Sequence, residues 1–592
     1  MRSRSHPFLR SFFASLLAFA VLILLLIGIG AAALHGDEEK IEDGSWLVID
    51  LYGEITEYDP PGGLLAEIVG GSPRTLSRTL DNLDKARYDD RVAGVILKLS
   101  AASGAGTAML EEIRGAVHRL RDSGKPVYGW ADSMDRRTFY LASACDSIFI
   151  PPPAYIQFTG MAMMSTHVKK TLDKIGVKPN VHKIKDYKSA AELVTREKLS
   201  EPAMENRRWL MDEQWAMFMD AIREDRGMSE EEATALMEHA LFTSEEAVEG
   251  GLADRIAYWD ELIDSIEGED GGAEEESDDD DDDLPLVDEG RYGDVTWKDL
   301  DREGKKTIAV VHAEGTIAGR KSKVDPMLGI LMGHESVAED LRAAREDDDV
   351  AAIVFRVNSG GGSSLTSDLI ARAVEIASAE KPVVVSMVDV AASGGYYIAY
   401  RGTRVIADPT TITGSIGSIS AKMNISGLHE KLGFTHDTLE KGPMGLIWSS
   451  QRDFTDEEWE RFTENHWEGF NMWLRDVAEK RGMTFEEAEK LAHGRVWTGR
   501  QALANGLIDG IGGMDRAVAL ARDLAEIPED EMVNVTHFPK EKGLVESIMS
   551  GELDFSYLAR VALYHFIRDD LTATWKLLTD GGALLYEETA IR

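Results

Sequence analysis

Two glycine-bearing turns in the second half of the chain carry the residue types needed for acyl transfer. One is Asp389-Val390-Ala391-Ala392-Ser393-Gly394-Gly395-Tyr396. It follows the apolar run PVVVSMV (382–388), which reads as a buried strand, so Ser393 falls at a strand-to-helix junction. Small neighbours let a carbonyl approach the Ser393 hydroxyl, and the N–H of Gly394 can face an oxyanion developing there. The bland alternative is a serine that only caps a helix. The other turn is Asn358-Ser359-Gly360-Gly361-Gly362-Ser363. Its three glycines permit backbone conformations closed to other residues, so main-chain N–H groups can turn toward an anion at the start of a helix. A turn of this kind can also serve close packing alone.

A serine needs a base to be nucleophilic at neutral pH. No histidine lies near either turn in sequence. A lysine can serve if it is desolvated, because burial disfavours its charged form. The segment KIKDYKSAAE offers Lys183, Lys185 and Lys188.

The elements that must position these groups alternate. VAAIVFRV (350–357) and PVVVSMV (382–388) read as buried strands, with LTSDLIARAVEIASA (365–379) as the helix between them. That order predicts an α/β fold with parallel strands and helical crossovers, whose sites lie at the carboxyl ends of the strands. The pattern occurs twice. LYGEI (51–55) matches AEGTI (313–317), VAGVILKLS (92–100) matches VAAIVFRVN (350–358), KPV recurs at 125 and 381, and GLAD (251–254) matches GLID (506–509). The offset drifts slowly in one direction, as an internal duplication with small loop indels produces. Residues 45–265 form the first copy and 296–540 the second. Between them, 266–295 contains EGEDGGAEEESDDDDDD, whose like charges predict a solvated linker rather than a calcium loop. Residues 541–592 form a tail with a mixed helical pattern and no assigned role.

Composition narrows the classes. The chain of 592 residues carries 64 Lys+Arg against 105 Asp+Glu, a net charge of −41, which repels nucleic acid. Its one cysteine, Cys145, excludes an intramolecular disulfide and a Cys-rich zinc site, and reads as buried packing. No metal or cofactor is expected. Arg2, Arg4 and Arg10 precede an apolar run at 12–34, and Asp37, Glu38 and Glu39 follow it. At about 1.5 Å per residue the run reaches roughly 34 Å, enough to cross a membrane. The flanking charges predict a single-pass anchor with residues 1–11 in the cytoplasm and the body outside it; the length of the run favours a permanent anchor over a cleaved signal, for which Ala31-Ala32-Ala33 would be the site.

VNSGGGS, DVAASGGYY, ADPTTITGSIGSI and DYKSAAE together resemble the signal peptide peptidases of the long, two-domain SppA type, relatives of the Clp protease and crotonase folds. The resemblance covers roughly 45–265 and 296–540. It implies two tandem Clp/crotonase-like domains behind one transmembrane helix, in a serine endopeptidase with a Ser/Lys dyad. It makes Ser393 the nucleophile, Lys188 the general base, and Ser415 in TGSIG the hydroxyl that orients the lysine amine. Gly361 or Gly362, with Gly394, would supply the oxyanion N–H groups. The family pattern has proline where Gly360 stands, which leaves the donors in place. The resemblance further implies remnant signal peptides as substrates, a bacterial plasma-membrane location facing the periplasm, and a homotetrameric ring.

The copies are not equivalent. At the offset of 256, Ser393 falls on Arg137, while Lys188 falls near Pro443, Met444 and Gly445. Each copy lacks what the other has, as expected for one site built from both. Lys441, in the same half as Ser393, is the competing base. A crotonase-like acyl-CoA enzyme or a non-catalytic membrane scaffold are the readings from other classes.

Overall fold

A computed structural model of the chain describes residues 41–53, 55–58, 74–100, 105–270, 284–325 and 329–540. The expected anchor at 12–34, the run of aspartates and the tail from 541 lie outside these residues. Among the described residues no helix is long and apolar enough to cross a membrane.

Two parallel sheets organise the chain. The first has six strands, in the order Leu286–Asp288, Ser45–Leu51, Val92–Leu99, Val127–Ala131, Ser147–Ile150 and Arg255–Ile256. The second repeats that order with Val533–Phe538, Lys306–Glu314, Val350–Ser359, Val383–Ala392, Arg404–Ala407 and Gly510–Ile511. A further strand, Ile412–Gly414, pairs with the carboxyl end of Val383–Ala392, and Val496–Thr498 pairs antiparallel to it. The two strands expected at 350–357 and 382–388 are thus present and run slightly longer. The helix between them spans Ser364–Glu380, with Ser363 as its cap.

Burial on both faces explains the continuous apolar runs. Ile353, Phe355 and Val357 pack into one core beside Ile370 and Val374 of that helix, while Ala352 and Val354 face a second core with Ala517 and Ala521. Each fully buried aliphatic side chain of this size contributes about 1.5–3 kcal/mol. Cys145 is buried in the core of the first half, and burial pushes its thiol up to about 12, so it is packing rather than a nucleophile.

The span expected to be a solvated linker, 266–295, is only partly so. Its start belongs to the helix Trp259–Asp270, with Ile266 buried, and Leu286–Asp288 forms the edge strand of the first sheet, paired with Trp46–Val48. Val287 is buried there as part of the core of the first half.

The halves interlock. The carboxylate of Asp389, in the second half, accepts the N–H groups of Ala108 and Met109 at the start of the helix Thr107–Asp122 in the first. The fully buried Arg356 donates to Glu57 at 2.7 Å, to Glu112 and to Ser386. A two-stranded ribbon completes the junction: Lys178–Lys183 of the first half pairs antiparallel with Ile419–Asn424 of the second.

Candidate active site

Val383–Ala392 ends directly at Ser393, which caps the short helix Gly394–Ala399. Ser393 adopts φ 56°, ψ −117°, a conformation non-glycine residues rarely accept. It is held by main-chain bonds: its N–H donates to Gly414 O at 2.9 Å, and its carbonyl accepts from Tyr397 N. This conformation projects the serine from the turn instead of letting its side chain cap the helix, as no side-chain cap bond forms. In the first half the helix after the corresponding strand, Arg136–Ala142, is capped by Asp135, whose carboxylate accepts from Thr138 N. By cap position Asp135 stands in the place of Ser393, two residues from the Arg137 that the sequence offset indicates.

The glycine turn lies against the serine turn. A Cβ on Gly361 would come 2.4 Å from Gly394 N and 3.0 Å from Ser393 Cβ, so only glycine fits, and its φ is +97°. Gly361 and Gly362 are the alternatives for one oxyanion donor, and Gly361 is the less available of the two. Its N–H donates to Ser359 Oγ at 3.1 Å, and Ser359 Oγ in turn donates to Gly315 O. Gly362 and Gly394 line the cavity at the turn, and no hydrogen bond of their N–H groups is found among the described residues.

That cavity has a volume of about 1050 Å3. Ser393, Lys188, Ser415, Gly362 and Gly394 all border it, with Leu210, Tyr397 and Trp473 among its apolar walls. Lys188 comes from the first half and Ser393 from the second, so both halves are needed to form it. No bond joins Lys188 Nζ to Ser393 Oγ among the described residues. Lys188 Nζ donates instead to both Ser415 Oγ and Ser415 O, at 2.9 Å each. A neutral amine has two N–H groups and one lone pair. Two bonds to Ser415 use both N–H groups and leave the lone pair for a proton.

Lys188 is only 8% exposed, and burial lowers its pKa from 10.5 to about 8. The neighbouring lysines differ. Lys183 pairs with Glu192 at 2.9 Å, and Lys185 lies 3.6 Å from Glu489. Lys441 is exposed and does not border the cavity. Ser415 is itself in the left-handed region, at φ 51°. Its N–H donates to Arg495 O at 2.7 Å.

Several residues of this site carry no sequence signal of their own. Ser359 fixes the glycine turn, Asp389 docks a helix from the other half, and Gly494 touches the backbone of Lys188. Ser359 and Asp389 stand inside the glycine and serine motifs, whereas Gly494 lies in neither.

The model of peptidase family S49 matches the chain twice, over residues 119–271 and 375–528. The chain is 32% identical over 515 residues to the chloroplastic serine protease SPPA of Arabidopsis thaliana, covering 87% of this chain and 74% of that one. It is 29% identical over 558 residues to Protease 4 of Salmonella typhi, covering 91% and 87%. A shorter match, 36% over 180 residues, covers 30% of this chain and 52% of an Enterococcus faecium protein named as a signal peptide peptidase, SppA.

Proposed function

The chain belongs to peptidase family S49 and is a serine-type peptidase; from that premise we propose that it works through a Ser393/Lys188 dyad, anchored in a membrane, on signal peptides already released from exported proteins. The observation that carries the dyad is the state of Lys188: a buried amine, depressed to about 8, held by Ser415 at the edge of the cavity that Ser393 also borders.

In the cycle, neutral Lys188 takes the Ser393 hydroxyl proton as Oγ attacks the peptide carbonyl. The N–H groups of Gly362 and Gly394 stabilise the tetrahedral oxyanion. Lys188 returns the proton to the leaving amine, and a water, deprotonated by Lys188, completes deacylation. The separation of Nζ from Oγ in the free enzyme is compatible with this, since such bonds often tighten only around substrate. Leu210, Tyr397 and Trp473 suit the apolar side chains of signal peptides, and the Enterococcus relative's name agrees with that substrate class.

The apolar run at 12–34 supports a single-pass anchor in a bacterial plasma membrane, with the body on the extracytoplasmic side. A head-to-tail homo-oligomer, tetrameric by the family resemblance, is supported by an asymmetry of the bridging ribbon. Lys178–Lys183 and Ile419–Asn424 pair within the chain. Their counterparts in the opposite halves, near 435–440 and 162–167, have no strand partner among the described residues. They carry exposed Leu439 (100%) and Met164 (78%). Pairing 162–167 of one protomer with 435–440 of the next would repeat the internal junction around a ring.

Labelling with a fluorophosphonate tests the dyad. Wild type should label, and Ser393→Ala and Lys188→Ala should not. Labelling that survives Lys188→Ala but is lost in Lys441→Ala would transfer the base to Lys441.

A further inference from the structure

Arg495 lies in the segment that joins Ser415 to Lys188, and its two ends hold different partners. Its carbonyl accepts the Ser415 N–H at 2.7 Å. Its guanidinium sits among three aromatic rings, with Cζ 4.0 Å from the centroid of Trp209, 4.8 Å from Trp497 and 5.0 Å from Tyr187. Trp497 belongs to the second half, like Arg495. Tyr187 and Trp209 belong to the first, and Tyr187 directly precedes Lys188. Taken with the dyad reading above, on which this inference rests, the geometry points to Arg495 as a positioning residue that keeps Lys188 and Ser415 in register across the junction of the two halves.

The surroundings are built for this. Gly494 packs so tightly on Lys188 that a Cβ there would lie 2.5 Å from both Lys188 N and Cα. The Gly494 N–H donates to Ile416 O at 2.8 Å, next to Ser415. The main chain is turned sharply at this point, with φ +63° at His493 and +83° at Gly494. Beyond Arg495, Val496 exchanges two bonds with the Asn206 side chain, which comes from the same helix as Trp209. Glu205 accepts from the Tyr187 hydroxyl at 3.1 Å and from the Arg495 guanidinium at 3.4 Å. Ser415 is strained in the left-handed region, and such a residue keeps its conformation only when its neighbours over-determine it.

The guanidinium holds its position chiefly against these rings. Among the described residues its one carboxylate contact, to Glu205, is long, and its Nε is buried without a hydrogen-bond partner. A planar cation can stack on several rings at once, whereas an ammonium cannot reproduce that arrangement. Burial, not a neighbouring charge, is what lowers the Lys188 amine. Arg495 therefore acts by placement, and a substitute that keeps only its charge should fail.

The test measures fluorophosphonate acylation rate against pH for Arg495→Lys, Arg495→Met and Tyr187→Leu, with circular dichroism and thermal melts on each. Both Arg495 variants should lose on the order of 10- to 100-fold at pH 8, a loss typical of a misplaced catalytic group. Their rate-against-pH limb should move upward, toward the ordinary lysine value, as a loosened Lys188 gains water. Tyr187→Leu should move the limb in the same direction by less. Arg495→Lys at the wild-type rate with an unmoved limb overturns the inference. So does an equal loss at every pH in both variants, which marks Arg495 as structural only. If Arg495→Met does not fold, Arg495→Lys and Tyr187→Leu decide between the same outcomes. The dyad reading fails separately, if Lys188→Ala labels like wild type.

Discussion

The amine of Lys188 donates to both the hydroxyl and the carbonyl oxygen of Ser415, each at 2.9 Å, although the two residues are 227 positions apart. This pair of bonds orients a buried lysine contributed by one half of the chain by means of a serine contributed by the other. It leaves the amine's third position free to exchange a proton.

The pH dependence of acylation follows from that amine. Only neutral Lys188 can act as base, and burial brings its pKa to about 8. The acylation rate should rise about tenfold per pH unit below 8 and level off above it. Stopped labelling reactions between pH 6 and 10 measure this. A limb near 10.5 would mean that the lysine is hydrated in the working enzyme.

Lys188→Met should abolish acylation without weakening the fold at pH 7. The folded-state pKa of Lys188 lies below its ordinary value of 10.5, so folding disfavours the ammonium. That cost, about 3 kcal/mol at most, is present in full below about pH 8, shrinks between 8 and 10.5, and is absent above. Loss of two hydrogen bonds to Ser415, about 1 kcal/mol each, offsets part of the gain. Urea unfolding should find the variant at least as stable as wild type at pH 7 and less stable at pH 10.5.

The glycine turn should discriminate between adjacent positions. A Cβ on Gly360 meets nothing within 4 Å, whereas one on Gly361 collides with Gly394 N at 2.4 Å and requires φ +97°. Gly360→Ala should label within about twofold of wild type. Gly361→Ala should lose on the order of 100-fold or more, because removal of a single well-placed oxyanion donor already costs 10²–10³ and the collision displaces Gly394. Labelling rates of the two folded variants compare them directly.

Arg356→Met should destabilise the whole chain. Arg356 donates to Glu57 and Glu112 from the other half, and its loss leaves those carboxylates buried without their counter-charge. Breaking a buried ion pair on one side costs about 3–5 kcal/mol. Urea unfolding should register a loss of that size, and acylation should fall with the folded fraction, because Lys188 and Ser393 belong to opposite halves.

Much of the architecture is legible in the residues alone. The two strands and the helix around the glycine turn were marked by uninterrupted β-branched runs and a following helical period, signals that burial on both faces of a parallel sheet produces. The placement of Ser393 between small residues after such a strand was legible for the same reason. Leu286–Asp288 was not, because three residues beside an aspartate run have too little apolar pattern to announce a strand. The commitment of the Gly361 N–H to Ser359 Oγ was not either, since three consecutive glycines look alike until the path of the backbone distinguishes them.

The sequence by itself determined the kinds of group available: a serine in a turn of small residues, a run of glycines, three clustered lysines, and two unequal copies of one pattern. These are local properties, written in residue type and period. Tertiary structure alone decided which lysine is buried, which glycine N–H groups are spent, and that Arg495 reaches rings from both halves. The physical reason is that desolvation and hydrogen-bond saturation depend on neighbours far away in the chain. Lys188 differs from Lys183 and Lys185 not in type or local spacing, but in being covered by the other half and supplied there with Ser415 in place of a carboxylate.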